Sequence, residues 1–204
     1  TGFPGAVGRV AAFGGGALLL CSAGLVILCL LKTPLRFIGA LLIGGAIVLM
    51  VRAPPPDVLV APGGSAFAIR GVDGRLAMTK SGNDAFALRE WLAADADARA
   101  ANDSSLGEGI RCDEAGCIGR LRDGALVAIA RTIEAFEEDC RRAALVISAR
   151  DAPPGCAALL VDREVSRRLG AIALRRLGER FEITASRSAG YDRPWAPAVA
   201  HGSD

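Results

Sequence analysis

Apolar residues crowd the first quarter of the chain, then give way to short apolar runs set among polar ones. No charge occurs from Val10 to Leu31, and GALLLCSAGLVILCLL closes that stretch. A second apolar run, FIGALLIGGAIVLMV, lies from Phe37 to Val51 between Arg36 and Arg52. About 20 apolar residues rising about 1.5 Å each span a bilayer core. Residues 10–31 therefore predict one transmembrane helix, and 37–51 a shorter second one, upright or with snorkelling arginines. The first run is too long, and too closely followed by another, for a cleaved signal peptide. Small residues recur in both runs (Gly14, Gly15, Gly16, Ser22, Gly24, Gly39, Gly44, Gly45), which suits close packing of helix backbones. Residues 1–52 thus read as a transmembrane hairpin. Its connector carries Lys32 and Arg36 and prefers the cytoplasm, which puts everything after Val51 on the outer side. The chain opens at Thr1, without an initiator methionine and close to a span, and is read as the carboxy-terminal piece of a larger multi-pass protein. Pro54, Pro55 and Pro56 form a stiff spacer leading away from the hairpin.

Beyond the spacer the periodicity is mixed. Asp57–Ala61 reads as a strand, and Ala66–Arg70 with Arg75–Thr79 as a hairpin around Val72-Asp73-Gly74. Ser81–Asp84 offers a cap for a helix over Ala85–Ala94, where Phe86, Leu88, Trp91 and Leu92 fall near helical spacing. Asp95–Gly109 is polar and reads as a loop. A second hairpin is expected from Gly119–Arg122 and Ala125–Ala130 about Asp123-Gly124, followed by a helix from Thr132 through Arg142. Leu145–Ser148 and Ala157–Val161 resemble buried strands, and Ala171–Leu174 and Phe181–Ser186 close the set. The fold class expected is two transmembrane α-helices followed by an extracytoplasmic α+β domain over 53–197, layered as a sandwich. Residues 198–204 read as a disordered tail.

Charge narrows the function. All 22 acidic residues and 20 of the 24 basic ones lie beyond the spacer, so the domain is near neutral. Tight DNA binding through this domain would call for a basic excess. Residues 163–204 are mildly basic, with eight basic and five acidic groups, but only two of the 24 basic residues are lysine, as an arginine-rich solvated surface would have it.

Catalytic patterns are few. The one histidine, His201, lies in the terminal tail. Ser148, Ser166 and Ser186 have no nucleophile elbow and no histidine partner. Gly63-Gly64-Ser65 lacks the lysine of a phosphate-binding loop and reads as a turn. Asp57, Asp73, Asp84 and Asp162 are carboxylates that a metal would need in company. Asp73 and Asp84 read more simply as turn and cap residues, and Asp162 as a strand-end partner of an arginine. Trp91 shares a helix face with Leu88 and Leu92 and reads as core. Trp195, beside Arg193 in an arginine-flanked segment, is the candidate contact for nucleic acid or a partner.

The motifs PDVLV (Pro56–Val60), AIRGVDGRL (Ala68–Leu76), Trp91-Leu92, CDEAGC (Cys112–Cys117), DCRRA (Asp139–Ala143), LVDR (Leu160–Arg163) and Arg193-Pro194-Trp195 follow one another in order. In that order the chain resembles the carboxy-terminal part of ComEC-family competence proteins of alphaproteobacteria. The resemblance implies part of an inner-membrane channel for DNA uptake. Its partners would be the remainder of the channel protein, single-stranded DNA passing through the full protein, and membrane lipid. In many relatives this domain resembles a metallo-β-lactamase, an αββα sandwich whose His-x-His-x-Asp-His motif binds two metals for a nuclease. That motif is absent here, so the domain implied is a degenerate one, without cofactor and catalytically inert. The alternative is a divergent metal-dependent hydrolase or nuclease completed by residues outside this chain.

Six cysteines complete the inventory. Cys21 and Cys29 fall in the first apolar run and read as packing residues. Cys112, Cys117, Cys140 and Cys156 belong to the outer domain, where disulfides persist. Disulfides are favoured there over buried thiols or a four-cysteine zinc site. Of the three pairings, Cys112 with Cys117 and Cys140 with Cys156 closes the short loops and is preferred.

Overall fold

A computed structural model describes residues 15–79 and 85–187. The chain divides into two units, Thr1–Pro55 with Trp91–Ala98, and Pro56–Glu90 with Arg99–Asp204.

The first unit contains helices α1 (Gly15–Leu30) and α2 (Arg36–Arg52). They meet at Gly24 and Gly39. A Cβ on Gly24 would stand 2.8 Å from the Gly39 carbonyl oxygen, and one on Gly39 would stand 2.6 Å from that of Gly24. Only glycine at both positions lets the two backbones come this close. Leu19, Leu41 and Val51 are each more than 70 % exposed, so apolar surface also faces away from the crossing.

The expected membrane hairpin does not form. Helix α1 has 16 residues and α2 has 17, about 24 and 26 Å long against a hydrocarbon core of about 30 Å. Lys32 and Pro34 follow the end of α1, and Arg36 and Arg52 occupy the two ends of α2, which shortens its apolar stretch further. No helix among the described residues is long and apolar enough to cross a membrane. The fold class of two transmembrane helices and the multi-pass inner-membrane location, with its domain on the outer side, are corrected accordingly. Residues 10–14 of the expected first span lie outside the described residues.

The second unit is α+β. Its first sheet has the order β10-β9-β1-β2-β3, from β1 (Val58–Val60), β2 (Phe67–Arg70), β3 (Leu76–Met78), β9 (Ile172–Leu177) and β10 (Arg180–Ala185). Every neighbouring pair in it is antiparallel. The second sheet has the order β4-β5-β6-β7-β8, from β4 (Ile110–Cys112), β5 (Gly116–Arg120), β6 (Leu126–Ala130), β7 (Leu145–Ile147) and β8 (Leu159–Val161). Here β4, β5 and β6 are antiparallel, whereas β6, β7 and β8 run parallel. Helix α3 (Ala85–Ala94) forms where the sequence predicts one. A parallel neighbour needs a crossover, and α4 (Ile133–Arg142) supplies it between β6 and β7.

The two sheets share one core. Val58, Val60, Phe67, Ile69, Ile172 and Leu174 of the first sheet pack with Cys117, Val127, Ile129, Leu145, Ile147 and Val161 of the second. At Gly119 the sheets come so close that an added Cβ would lie 2.7 Å from Ile69 Cδ1. Arg176 ties them at the rim: its backbone N–H donates to Asp57 Oδ2 within the first sheet at 2.8 Å, and its Nε reaches across to donate to Asp123 Oδ2 of the second at 3.1 Å. Arg70 is fully buried in β2. Its Nε donates to the Pro56 carbonyl at 3.0 Å and its Nη1 to the Gly74 carbonyl at 2.8 Å, so the charge stays hydrogen-bonded out of water.

The far face of the second sheet is covered in part. Phe136 and Cys140 of α4 pack on Ala128, Ala130 and Val146, which belong to β6 and β7. Thr132 caps α4 by accepting from Ala135 N–H at 3.4 Å. A further helix, α5 (Arg163–Leu169), is one the sequence reading lacked. Its cap is Asp162, whose Oδ1 accepts from Val165 N–H at 2.9 Å.

Candidate functional site

The site grows from CDEAGC. These six residues form the β4–β5 hairpin, so β5 begins three residues ahead of the strand expected at Gly119. Cys112 and Cys117 are directly opposed. They form a disulfide with their Cα atoms 4.0 Å apart. Between them Asp113 N–H donates to the Gly116 carbonyl at 2.9 Å, and Asp113 Oδ1 accepts from Gly116 N–H at 2.8 Å. The Asp side chain thus closes its own turn. Gly116 is required because a Cβ there would run into the backbone oxygen of Ile129. Both Arg131 and Thr132 donate their N–H groups to the Ala115 carbonyl, at 2.9 and 3.2 Å, which fastens the hairpin tip to the start of α4. The other end of α4 is held by the second disulfide, Cys140 with Cys156, with Cα atoms 4.9 Å apart.

Helix α4 packs on β6 and β7, which leaves the outer face of β4 and β5 uncovered. A groove of about 1050 Å³ lies there. Ile118, Leu126, Ala128 and Gly116 form its floor, and Ala135, Glu138, Asp139 and Arg142 of α4 form one wall. The Gly71–Asp73 turn and Glu108 with Gly109 bound the end near Arg120, while Asp113 and Ala115 bound the hairpin end. Ile118 is 46 % exposed, which is unusual for an isoleucine at the centre of a strand.

The lining carries five carboxylates, of Asp73, Glu108, Asp113, Glu138 and Asp139, against the guanidinium groups of Arg111, Arg120 and Arg142. Arg142 is engaged by Glu138 at 2.6 Å. Asp139 lacks such relief. Burial pushes its carboxyl above the ordinary carboxylate range, and the nearby charges of Glu138 and Asp113 push the same way. Asp123 shows the opposite case: the N–H of Ala125 at 3.0 Å, helped by Arg176, holds its carboxyl below the usual value although burial opposes this.

The four candidate cysteines form the two disulfides described, and of them Cys112 and Cys117 line this groove. Cys21 and Cys29 of α1 form none. Arg193, Trp195, His201 and Asp84 lie outside the described residues. The other carboxylates singled out from the sequence are not brought together. Asp57 accepts from Arg176 N–H. Asp73 accepts from Arg75 N–H at 3.1 Å within its turn. Asp162 accepts from Val165 and, at 3.4 Å, from Ala152, so both its oxygens serve backbone. Ser148 Oγ donates to the Ala130 carbonyl at 2.8 Å. No group of three or more His, Cys, Asp or Glu able to hold a metal occurs among the described residues.

The groove itself escaped sequence reasoning. Its signal was the strand GCIGR, where Cys117 and Gly119 point inward and Ile118 and Arg120 outward. No family model, curated protein or solved structure matches the chain. The fold is accordingly taken no further than α+β, and the αββα metallo-β-lactamase-like sandwich is dropped with the rest of that fold class.

Proposed function

We propose that the second unit is a non-hydrolytic docking domain of a DNA-uptake system, binding another protein through the groove beside CDEAGC. The observation that carries the docking part is the half-exposed Ile118 on a sheet face that α4 leaves uncovered. An apolar floor rimmed by polar groups is the usual make-up of a protein-binding surface. Strand guidance is the weaker use of this groove. Among the described residues its lining holds no aromatic ring on which bases would stack, and its carboxylates outnumber its arginines, which repels a phosphate chain. The DNA-uptake setting rests on the resemblance carried by the ordered motifs, of which CDEAGC and DCRRA contribute directly to this groove.

The test is transformation frequency in a naturally transformable host whose only copy of the chain carries Ile118→Glu. A charge at the groove floor removes an interface contact, and a contact worth about 1.4 kcal/mol corresponds to about a tenfold fall. Unchanged transformation at equal protein level overturns the docking reading. Cleavage of single-stranded DNA by the purified chain with stoichiometric zinc or manganese would replace it with the hydrolase reading.

A further inference from the structure

Strand β4 is an edge strand: it pairs with β5 and with no other strand among the described residues. In antiparallel pairs, bonded and non-bonded residue pairs alternate. The bond from Asp113 N–H to the Gly116 carbonyl sets the phase, so Arg111 and Ile118 are the next bonded pair. Ile110 and Cys112 therefore direct their N–H and C=O groups away from β5, toward the open edge. The Cys112–Cys117 disulfide holds this short edge in the extended form that a new strand would require.

We infer that β4 takes up an extended segment of a different protein as an added strand, with one apolar and one cationic side chain two residues apart on the side facing the groove. The inference deepens the docking reading above and rests on it. Main-chain bonds to an edge supply affinity, and pockets for alternate side chains supply selectivity. Residues two apart on one strand project from the same face about 7 Å apart. One such side chain passes Arg111 to cover Ile118, and the next stands beside Asp113. Charge complementarity decides what the second must be. Neither Asp113 nor Asp139 has an ion-pair partner among the described residues, and Arg142 is occupied by Glu138. A lysine or arginine of the incoming segment meets both carboxylates.

A second copy of this chain is a poor occupant. The two-fold antiparallel pairing that sets Ile110 against Cys112 of another copy places Arg111 opposite itself, and like charges directly opposed are destabilising. A cation at the centre of a short edge is also a common guard against self-pairing.

The test uses the oxidised full chain, immobilised, and a display library of random nine-residue peptides. Enriched sequences are expected to carry an apolar and a cationic residue two apart, with few acidic residues and no central proline. Two readouts follow on a synthetic hit. Methylating backbone nitrogens of one alternation phase weakens binding at least about tenfold, while the other phase is tolerated, as expected when alternate amides bond the edge. Ile118→Glu abolishes binding, and Asp139→Lys removes the preference for a cation, both with unchanged far-ultraviolet circular dichroism. No enrichment, an acidic consensus, or equal tolerance of both methylation phases overturns strand addition. The two readings fail separately. An empty selection together with transformation that still drops in Ile118→Glu leaves docking standing without an added strand. The expected consensus together with unaffected transformation leaves the added strand standing without a role in DNA uptake.

Discussion

Removing the Cys140–Cys156 link should cost more than removing Cys112–Cys117, and the size of each loss follows from the loop it closes. The sequence separations are 16 and 5 residues. Cross-linking removes denatured-state entropy that grows with the logarithm of loop length, which gives about 3 kcal/mol for the longer loop and about 2 kcal/mol for the shorter at 25 °C. Native contacts widen the gap. Cys140 sits in the cluster of Phe136, Ala128 and Val146, whereas the CDEAGC turn keeps its Asp113 and Gly116 bonds and its two donors from Arg131 and Thr132 when the disulfide is gone.

The measurement is urea unfolding of the Cys140→Ala/Cys156→Ala and Cys112→Ala/Cys117→Ala double variants against the parent, followed by circular dichroism. Free energies extrapolated to water are compared rather than midpoints, because an uncross-linked denatured state exposes more surface and raises the denaturant slope. In a thermal scan the first variant should melt about 6 to 12 °C below the parent, at about 2 to 4 °C per kcal/mol for a chain of this size. A loss below about 1 kcal/mol for the Cys140–Cys156 pair, or a larger loss for Cys112–Cys117, would refute the loop-entropy reasoning.

Two further outcomes test the site itself. Asp139 has its carboxyl pushed up by burial, Glu138 and Asp113, so the folded chain binds that proton more tightly than the unfolded chain. The stability this gives is present at low pH and is lost as pH rises through the carboxylate range. Asp139→Asn should therefore be more stable than the parent at about pH 7, with the advantage fading below about pH 4, and equal differences at both pH values in urea titrations would contradict the cause assigned. Gly116→Ala should cost about 1 to 3 kcal/mol, because its methyl group meets the Ile129 backbone oxygen. Gly119→Ala meets the mobile Cδ1 end of Ile69 and should cost less, so a reversed order in thermal unfolding would show that the sheets yield more readily than the hairpin.

What was legible in the sequence is what local chemistry decides. The Asp73-Gly74 and Asp123-Gly124 turns announce their hairpins because glycine there adopts positive φ, 76° and 86°. Helix α4 shows its cap and its Phe136–Cys140 stripe. Helix α5 is hidden because REVSRRL is short and mostly polar, and Asp162 reads from the sequence as a strand-end partner of an arginine rather than as the cap it is. The first two helices were misjudged for another reason. Hydropathy reports how apolar a run is, but spanning depends on the length the helix attains between its flanking charges, and α1 and α2 fall short.

The groove depends on a placement that no local pattern carries. GCIGR states that Ile118 and Arg120 face away from the core, and IEAFEEDCRR states that α4 is amphipathic. Neither states that α4 stops at β6. Its two ends are anchored, one by the Ala115 carbonyl at the tip of the β4–β5 hairpin and the other by Cys156 in the segment between β7 and β8. Loosening the Cys156 anchor would free the end of α4 to move toward Ile118, where apolar contact is on offer. The Cys140–Cys156 disulfide and the exposed isoleucine are therefore linked. The Cys140–Cys156 link fixes the end of α4 over β6 and β7, and Ile118 on β5 stays half-exposed beside it.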